Sequence, residues 1–405
     1  MIMRCAFLLV LCGVFAPAHA QDFAVHGFAD FRVASAADET AWTQGGLGKT
    51  RYGSGEAGAH VGAAALVASW QVAPEWRAVA DLRYQPQDGS NVVLTEAFVR
   101  FRPVSTSAWR WSLKLGEFFP PISLENEGIG WTSLWTLTPS AINSWVGEEM
   151  RTVGGEFRVE HRGEADTLEG AVALVGANDP LGEIIASRGW SLDDVVSGFG
   201  SRLREPDVYA ELIGVAPPRR YDPFLEIDDR IGAYADVTWR STSYGSATLL
   251  HYDNLADPSD YHAFDHGDQL FAWRTKFTSL GAQTQAGLCT FIAQTMSGTT
   301  EIAPPGFRSV THFSAGYLLA GLDFGKWRPA LRMDAFTTRA DPASSAGLSE
   351  HGTALTLALN WRPLEWLRVT GEALRVDSWR EQRLAQGLAP RQIDTQVLLN
   401  ARVLF

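Results

Sequence analysis

The heptapeptide Trp109-Arg110-Trp111-Ser112-Leu113-Lys114-Leu115 places an apolar side chain at every odd position and a polar one at every even position. This period of two is that of a β-strand, whose successive side chains point to opposite faces of a sheet. The same rhythm returns at 93–102, 231–240, 271–277, 355–362 and 395–405. The sequence therefore predicts an all-β protein built from amphipathic strands.

Turn signals divide the chain into sixteen predicted strands. Short connections, such as 279–282 and 362–366, alternate with long polar ones, such as 253–267. That asymmetry is typical of a transmembrane antiparallel up-and-down β-barrel. A segment at 207–214 counted as a strand would need a further partner and give eighteen, and this alternative stays open. The sixteen strands are placed at 24–33, 58–72, 76–85, 92–103, 109–117, 150–161, 167–176, 229–241, 245–253, 268–279, 282–295, 310–325, 327–339, 350–363, 366–379 and 393–405.

Composition excludes several classes of protein. The chain has 405 residues, a net charge of -12, 46% hydrophobic and 11% aromatic residues. It has no basic excess with which to neutralise nucleic-acid phosphates. A mean hydropathy of -0.07 excludes a bundle of membrane helices.

The first twenty residues predict export. Arg4 precedes the apolar run 5–15, and Ala18-His19-Ala20 is a small-x-small cleavage site, so 1–20 is interpreted as a signal peptide and 21–405 as the mature barrel. Two of the three cysteines leave with this leader. No disulfide framework is therefore expected.

A soluble sandwich would show the same alternation, so other features must decide what the apolar face meets. Tryptophans gather near the short turns, as an aromatic girdle at a membrane interface would require; these are Trp70, Trp76, Trp109, Trp239, Trp327, Trp361 and Trp366. The chain also ends on a strand that finishes at Phe405. This resembles the last strand of outer-membrane proteins, where a final aromatic residue is read by the barrel-insertion machinery. The predicted location is the bacterial cell outer membrane.

If the apolar face meets lipid, the polar face lines an aqueous lumen. A basic wall is then expected from Arg77, Arg83, Arg100, Arg102, Arg110, Lys114 and Arg158. The segment 117–149 that follows is acidic, with Glu117, Glu125, Glu127, Glu148 and Glu149. We predict that it folds inward as a constriction loop whose carboxylates face the basic wall, creating a transverse field. The alternative is a solvated acidic loop and a basic wall that pairs with Asp81 and Glu96.

The stretch Leu115-Gly116-Glu117-Phe118-Phe119-Pro120-Pro121-Ile122-Ser123-Leu124-Glu125-Asn126 resembles a motif of the phosphate-selective porin O and P group. The resemblance implies a sixteen-stranded barrel, usually trimeric, with its third extracellular loop inside. Phosphate selectivity is not carried over, because the mature chain has only four lysines and an acidic loop. The predicted function is a porin for passive diffusion of small hydrophilic solutes and ions.

Two other functions are weighed. His312 and Ser314, in a His-x-Ser-x-Gly pattern, resemble the motif of outer-membrane phospholipase A, which would make the chain a barrel hydrolase. The segment 177–228, predicted as a long extracellular loop, could instead plug a structural or adhesive barrel. The pair His262 and His266 lies among acidic residues but in no helix that would fix ligands, so no metal and no cofactor are expected. The expected partners are solutes, ions and outer-membrane lipid, without nucleic acid.

Overall fold

The computed structural model describes residues 23–86, 92–207, 217–265, 267–341 and 349–405. Sixteen antiparallel strands form one closed barrel in which each strand pairs with its neighbours in chain order. The predicted all-β, sixteen-stranded up-and-down barrel is confirmed: the described strands close on themselves without a further pair, and residues 208–214 of the segment behind the eighteen-stranded alternative lie outside the described residues. The predicted signal peptide, 1–20, lies outside the described residues. The strands are β1 Phe23–Ala34, β2 Gly58–Ala73, β3 Trp76–Tyr84, β4 Val92–Phe101, β5 Trp109–Phe118, β6 Thr152–Arg162, β7 Asp166–Gly176, β8 Gly232–Ser241, β9 Gly245–Asp253, β10 Arg274–Ala286, β11 Cys289–Ile302, β12 Ser309–Leu322, β13 Trp327–Ala340, β14 Glu350–Leu364, β15 Leu367–Arg380 and β16 Arg391–Leu404.

The first and last strands close the barrel. β1 pairs with β16 from Phe28 opposite Leu404 to Ala34 opposite Leu398. The terminal residue takes part, since Gly27 and Phe405 exchange two backbone hydrogen bonds of 2.8 and 3.1 Å. A Cβ atom at Gly27 would lie 2.5 Å from the Phe405 ring, so only glycine leaves room for that ring.

The barrel has apolar side chains on its outer face and charged side chains on its inner face, the reverse of a soluble protein. Along β13, Leu331 and Met333 are exposed on the outer face, whereas Arg332 and Asp334 are buried on the inner face. On other strands Leu318 is 65% and Leu174 64% exposed. Apolar side chains this exposed, strand after strand, mark a surface that meets an apolar medium.

One predicted turn is wrong. The connection placed at 279–282 lies in the middle of β10, and the turn between β10 and β11 is at Gly287, whose φ is +60°. Gly281 is not a turn residue; it makes space for Leu124, because a Cβ there would lie 2.5 Å from the Leu124 side chain. The glycine serves a close approach from inside the barrel, which strand rhythm does not reveal.

Few helices interrupt the strands. α1 spans Ala141–Glu149 and α2 spans Glu183–Ser187, with 3-10 turns at Trp42–Gln44 and Glu381–Gln386. Short ladders join Leu203–Arg204 to Arg220–Tyr221 and Tyr261–Ala263 to Gln269–Phe271. None of the helices in the described ranges has the length and apolar character to cross a bilayer.

Three connections pack against the inner face of the barrel. We call them the first inner segment (residues 35–57), the second inner segment (119–151) and the third inner segment (178–206). The whole of α1 is buried, and Trp145 lies 5.7 Å from Phe277 of β10 and 5.2 Å from Phe313 of β12, measured between ring centroids. The interior is therefore occupied by the chain itself on the side of the long connections.

Candidate functional site: the barrel lumen

Basic side chains from neighbouring strands form a row on the inner face, near the short turns. The register places Arg77 of β3 opposite Arg100 of β4, and Arg100 opposite Lys114 of β5. Arg110 lies four residues before Lys114 on the same face of β5, and Arg77 remains exposed. Within the described part of the chain, neither Arg77, Arg100 nor Arg110 has a carboxylate within ion-pair distance. This stretch of the lumen therefore carries an excess of positive charge.

The basic row is paired with carboxylates where it reaches β6. Arg158 of β6 forms ion pairs with Glu156 at 3.2 Å, Glu169 at 3.2 Å and Asp236 at 3.1 Å. Lys114 lies 3.6 Å from Glu156, and Arg102 lies 3.3 Å from Glu160. The charge on the wall therefore changes from net positive at β3–β5 to balanced at β6–β8.

Arg83, predicted as part of the same wall, lies elsewhere. It is buried at the other end of β3, where it donates to the backbone oxygens of Gly130 at 2.8 Å and Asp194 at 3.1 Å. It thereby joins the second and third inner segments to the barrel. Its charge is used for packing rather than for facing solvent.

Within the motif at 115–126, the chain leaves β5 and enters the interior of the barrel. Gly116 has a φ of +134°, and a Cβ there would lie 2.2 Å from the backbone oxygen of Ala97, so glycine is required where the strand meets its neighbour. Phe119 then stacks on Trp131, with ring centroids 4.4 Å apart. Leu124 fills the space at Gly281, and Glu125 approaches Arg332 of β13. Gly116, Phe119, Leu124 and Glu125 thus take part in entering or packing the interior, whereas Leu115 is exposed on the outer face.

Buried charges fix both ends of α1. At its start, Ser140 N donates to Glu125 at 2.6 Å and Ala141 N donates to Asp334 at 3.1 Å. Carboxylates here satisfy free backbone N–H groups and match the positive end of the helix dipole. At the other end, Arg151 donates to backbone oxygens, including those of Met150 and Ser197, both at 2.5 Å. α1 is therefore held as a rigid element inside the barrel.

The five predicted acidic residues have different surroundings and do not form one cluster. Glu125 pairs with Arg332 at 3.4 Å, and Glu148 with Arg188 at 2.5 Å. Glu149 accepts hydrogen bonds from Trp145, Tyr221 and the backbone of Gly182 and Ile184. Glu117 is buried near Arg151, whereas Glu127 is exposed. Burial raises the pKa of Glu148 well above its usual range, although Arg188 opposes the shift.

This geometry corrects the expected constriction. The loop 117–149 lies against the inner face of the barrel, but Glu125, Glu148 and Glu149 do not face Arg77, Arg100 and Arg110. Their oxygens are occupied by α1, the third inner segment and β13. The physical reason is that a carboxylate buried by a folded loop must be paired close by, so it cannot also point across open water.

The second inner segment is anchored to the inner face of distant strands. Glu372 of β15 accepts hydrogen bonds from the backbone of Leu137 at 2.6 Å and Thr138 at 3.1 Å. Asn360 of β14 donates to the backbone oxygen of Trp135 at 2.7 Å. Gln294 of β11 donates to that of Ile122 at 2.9 Å. Side chains on the inner face thus satisfy the polar backbone of a segment that has little regular structure of its own.

The segment predicted as a long extracellular loop, 177–228, differs from that description over 178–206. Asp194 lies 2.9 Å from Arg32 of β1 and 2.7 Å from Arg51 of the first inner segment. Arg380 of β15 donates to the backbone oxygen of Ser187 at 2.9 Å. Burial alone would raise the pKa of Asp194, but Arg32 and Arg51 outweigh it and hold that pKa below its usual range. Residues 208–216 lie outside the described part of the chain.

Sequence reasoning missed a second set of inward charges. Lys49 of the first inner segment lies 2.6 Å from Glu350 of β14, which also pairs with Arg380 at 3.1 Å. Asp30 pairs with Arg402 at 2.7 Å across the closing strands. The positions of Asp30, Glu350, Arg380 and Arg402 on the polar face of strands were readable from the rhythm, whereas Lys49 lies outside the strands. The partners of Lys49 and Asp30 could not be predicted from the sequence, because they lie hundreds of residues away along the chain.

The predicted hydrolase pair lies on the outer face. His312 and Ser314 share one face of β12, and no hydrogen bond joins their side chains within the described structure. Asn360, the next asparagine, points inward and donates to Trp135. A nucleophile needs a base within hydrogen-bond reach and a group that orients the base. This arrangement does not favour a hydrolase, and His266 of the other histidine pair lies outside the described residues.

No protein-family model matches the chain, and no curated protein does either. Solved structures do resemble it. The outer-membrane channel DcaP of Acinetobacter baumannii has a TM-score of 0.56 at 12% identity, over 95% of this chain and 97% of that one. An anion-selective porin from Comamonas acidovorans has 0.53 at 12% identity, over 95% and 99%. A trimer form of OmpT, an outer-membrane protein of Vibrio cholerae, has 0.51 at 8% identity, over 95% and 99%. At these identities the likeness shows a shared barrel fold.

Proposed function

We propose that the chain is a bacterial outer-membrane porin that lets small hydrophilic solutes and ions diffuse passively. The observation that carries this proposal is the inverted barrel, with exposed leucines outside and charged side chains inside. Such a surface is stable in lipid and would aggregate in water. The porins and channels among the similar structures support it. We include in this proposal the resemblance of residues 115–126 to a motif of the phosphate-selective porin O and P group.

We further propose that the lumen prefers anions. Arg77, Arg100 and Arg110 carry positive charge that no carboxylate in the described structure neutralises at ion-pair distance. Charge on a narrow wall raises the local concentration of oppositely charged ions. The anion-selective porin among the similar structures is consistent with this preference.

Replacing Arg77, Arg100 and Arg110 together with glutamine should reduce anion over cation permeability several-fold, because the excess positive charge is removed. The measurement is the reversal potential of the purified protein in planar bilayers under a salt gradient. Arg391→Gln is the matched control, since Arg391 lies on the outer face and pairs with Asp377. A cation-preferring wild type, or an unchanged ratio in the triple variant, would refute the selectivity.

A plugged structural barrel is the second candidate, and one observation favours it. Buried apolar side chains of the second and third inner segments form one continuous core with inward residues of β7 and β8–β15. A barrel of this kind would show no ion conductance in a planar bilayer, either as the wild type or after the core is weakened. A conducting wild type would exclude it.

We also propose assembly as a homotrimer after insertion by the barrel-insertion machinery, which would read Phe405. The trimer form of OmpT and the exposed outer face support the trimer. Multi-angle light scattering in detergent measures the protein mass. A monomer mass would contradict it.

A further inference from the structure

Three carboxylates meet where the connection between β7 and β8 leaves and rejoins the barrel. Asp179 follows the end of β7, while Glu226 and Asp228 precede the start of β8. One oxygen from each lies within 4.8 Å of the other two. The two ends of the connection that contains the third inner segment are thus brought together by acidic side chains.

Hydrogen bonds orient this cluster but leave it with free oxygens. Asp179 Oδ2 accepts from the backbone of Ile227 at 2.5 Å and Asp228 at 3.3 Å, and Glu226 Oε2 accepts from Ala177 N at 2.7 Å. Over the described ranges, Asp179 Oδ1 and Glu226 Oε1 receive no hydrogen bond. The second oxygen of Asp179 and that of Glu226 are therefore available to a ligand, whereas both oxygens of Asp228 accept backbone hydrogen bonds, from Arg230 N at 2.8 Å and from Asp257 N.

The cluster lacks a positive partner. In the described structure no lysine or arginine lies within ion-pair distance of Asp179, Glu226 or Asp228, and the nearby Arg230 pairs with Asp257. Three acidic groups held this close without compensation need either protons or a cation.

A second, independent group points to a ligand here. Tyr252 of β9 is fully buried, its hydroxyl has no hydrogen-bond partner among the described residues, and its two acidic neighbours in electrostatic range are Asp179 and Asp253. Buried hydroxyls in proteins are normally satisfied, so an unpaired one beside a carboxylate marks a place for a missing partner. A water bound to a cation would supply one.

We propose that Asp179, Glu226 and Asp228 bind a divalent cation, and that calcium fits best. Calcium takes about six to eight oxygen ligands in flexible geometry, whereas magnesium demands near-ideal octahedral geometry and keeps several of its waters. Three carboxylates held by irregular backbone suit the less demanding ion. The ion would clasp the two ends of the connection and fix the third inner segment in the barrel.

The probe is calcium itself, titrated calorimetrically into the purified full-length protein in detergent after chelator treatment. We expect one calcium ion per chain and a higher Tm with calcium than with chelator. The double variant Glu226→Gln and Asp228→Asn should lose at least tenfold in affinity. Asp207→Asn is the matched control, because Asp207 is an exposed carboxylate of the same connection that pairs with Arg204.

A second variant covers the case in which the double variant does not fold. Tyr252→Phe keeps the ring and all three carboxylates but removes the unpaired hydroxyl, and it should weaken calcium binding measurably. Heat-dependent migration on gels verifies that each variant retains its barrel. Absence of calcium uptake by the wild type, or equal affinity in the double variant and the Asp207→Asn control, would overturn the site. Both results are independent of whether the barrel conducts ions.

Discussion

Replacing Trp145 with alanine should raise the single-channel conductance of the barrel several-fold. Trp145 is 1% exposed and lies between Trp190, Phe277 and Phe313, with ring centroids 5.2 to 6.0 Å away. It also donates to Glu149 at 2.6 Å. Truncating a buried tryptophan to alanine lowers the free energy of unfolding by about 3–5 kcal/mol. Here the contacts removed are those between α1 and the inner face. The second inner segment should therefore loosen and widen the path for ions.

The barrel itself should survive this substitution. Its strands are joined by backbone ladders that close on themselves, and none of those hydrogen bonds involves Trp145. Trp327→Ala is the matched control, because it removes the same side chain from the outer face, where Trp327 stacks on Trp361. Planar-bilayer recording gives the conductance. An unchanged conductance in a folded Trp145→Ala barrel would show that α1 does not limit the path.

Raising the pH from about 5 to about 9 should increase conductance. Glu149, Glu183 and Glu205 lie in one buried region around Tyr221. Burial raises the pKa of Glu149, raises that of Glu183 well above its usual range, and raises that of Glu205 to about 8. These carboxyls therefore keep protons at a pH where exposed ones have lost them.

The direction of the pH effect follows from linkage. A carboxyl with a raised pKa in the packed state stabilises that state fully below its free pKa of about 4.3. That contribution is lost as the pH rises through about 8, where like charges begin to repel in the interior. The inner segments should then loosen at alkaline pH.

A neutral variant checks the assignment. Glu205→Gln cannot ionise, so it should flatten the rise of conductance with pH. Glu164→Gln, at an exposed short turn, should leave the profile of the wild type unchanged. Identical profiles for Glu205→Gln and the wild type would rule out Glu205 as a contributor.

The tryptophans illustrate how far sequence reasoning reached. The seven placed near short turns are all exposed on the outer face or in a short turn, from 37% at Trp70 and Trp239 to 60% at Trp109. Trp42, Trp145 and Trp190 are instead buried in the inner segments. Proximity to a turn is local and could be read from the chain, whereas membership of an interior core could not.

The sequence by itself predicted the barrel, a count of sixteen strands with eighteen as the alternative, and the alternation of the two faces, but it misplaced the turn at 279–282. A period of two and the spacing of turns are local properties, because each strand alternates whatever it pairs with. Only the tertiary structure decided what fills the lumen. Glu125 forms an ion pair with Arg332, and Asp194 forms one with Arg32. Leu124 packs against Gly281. These partners lie more than 150 residues apart, and closing the barrel brings them together, so no local pattern could assign them.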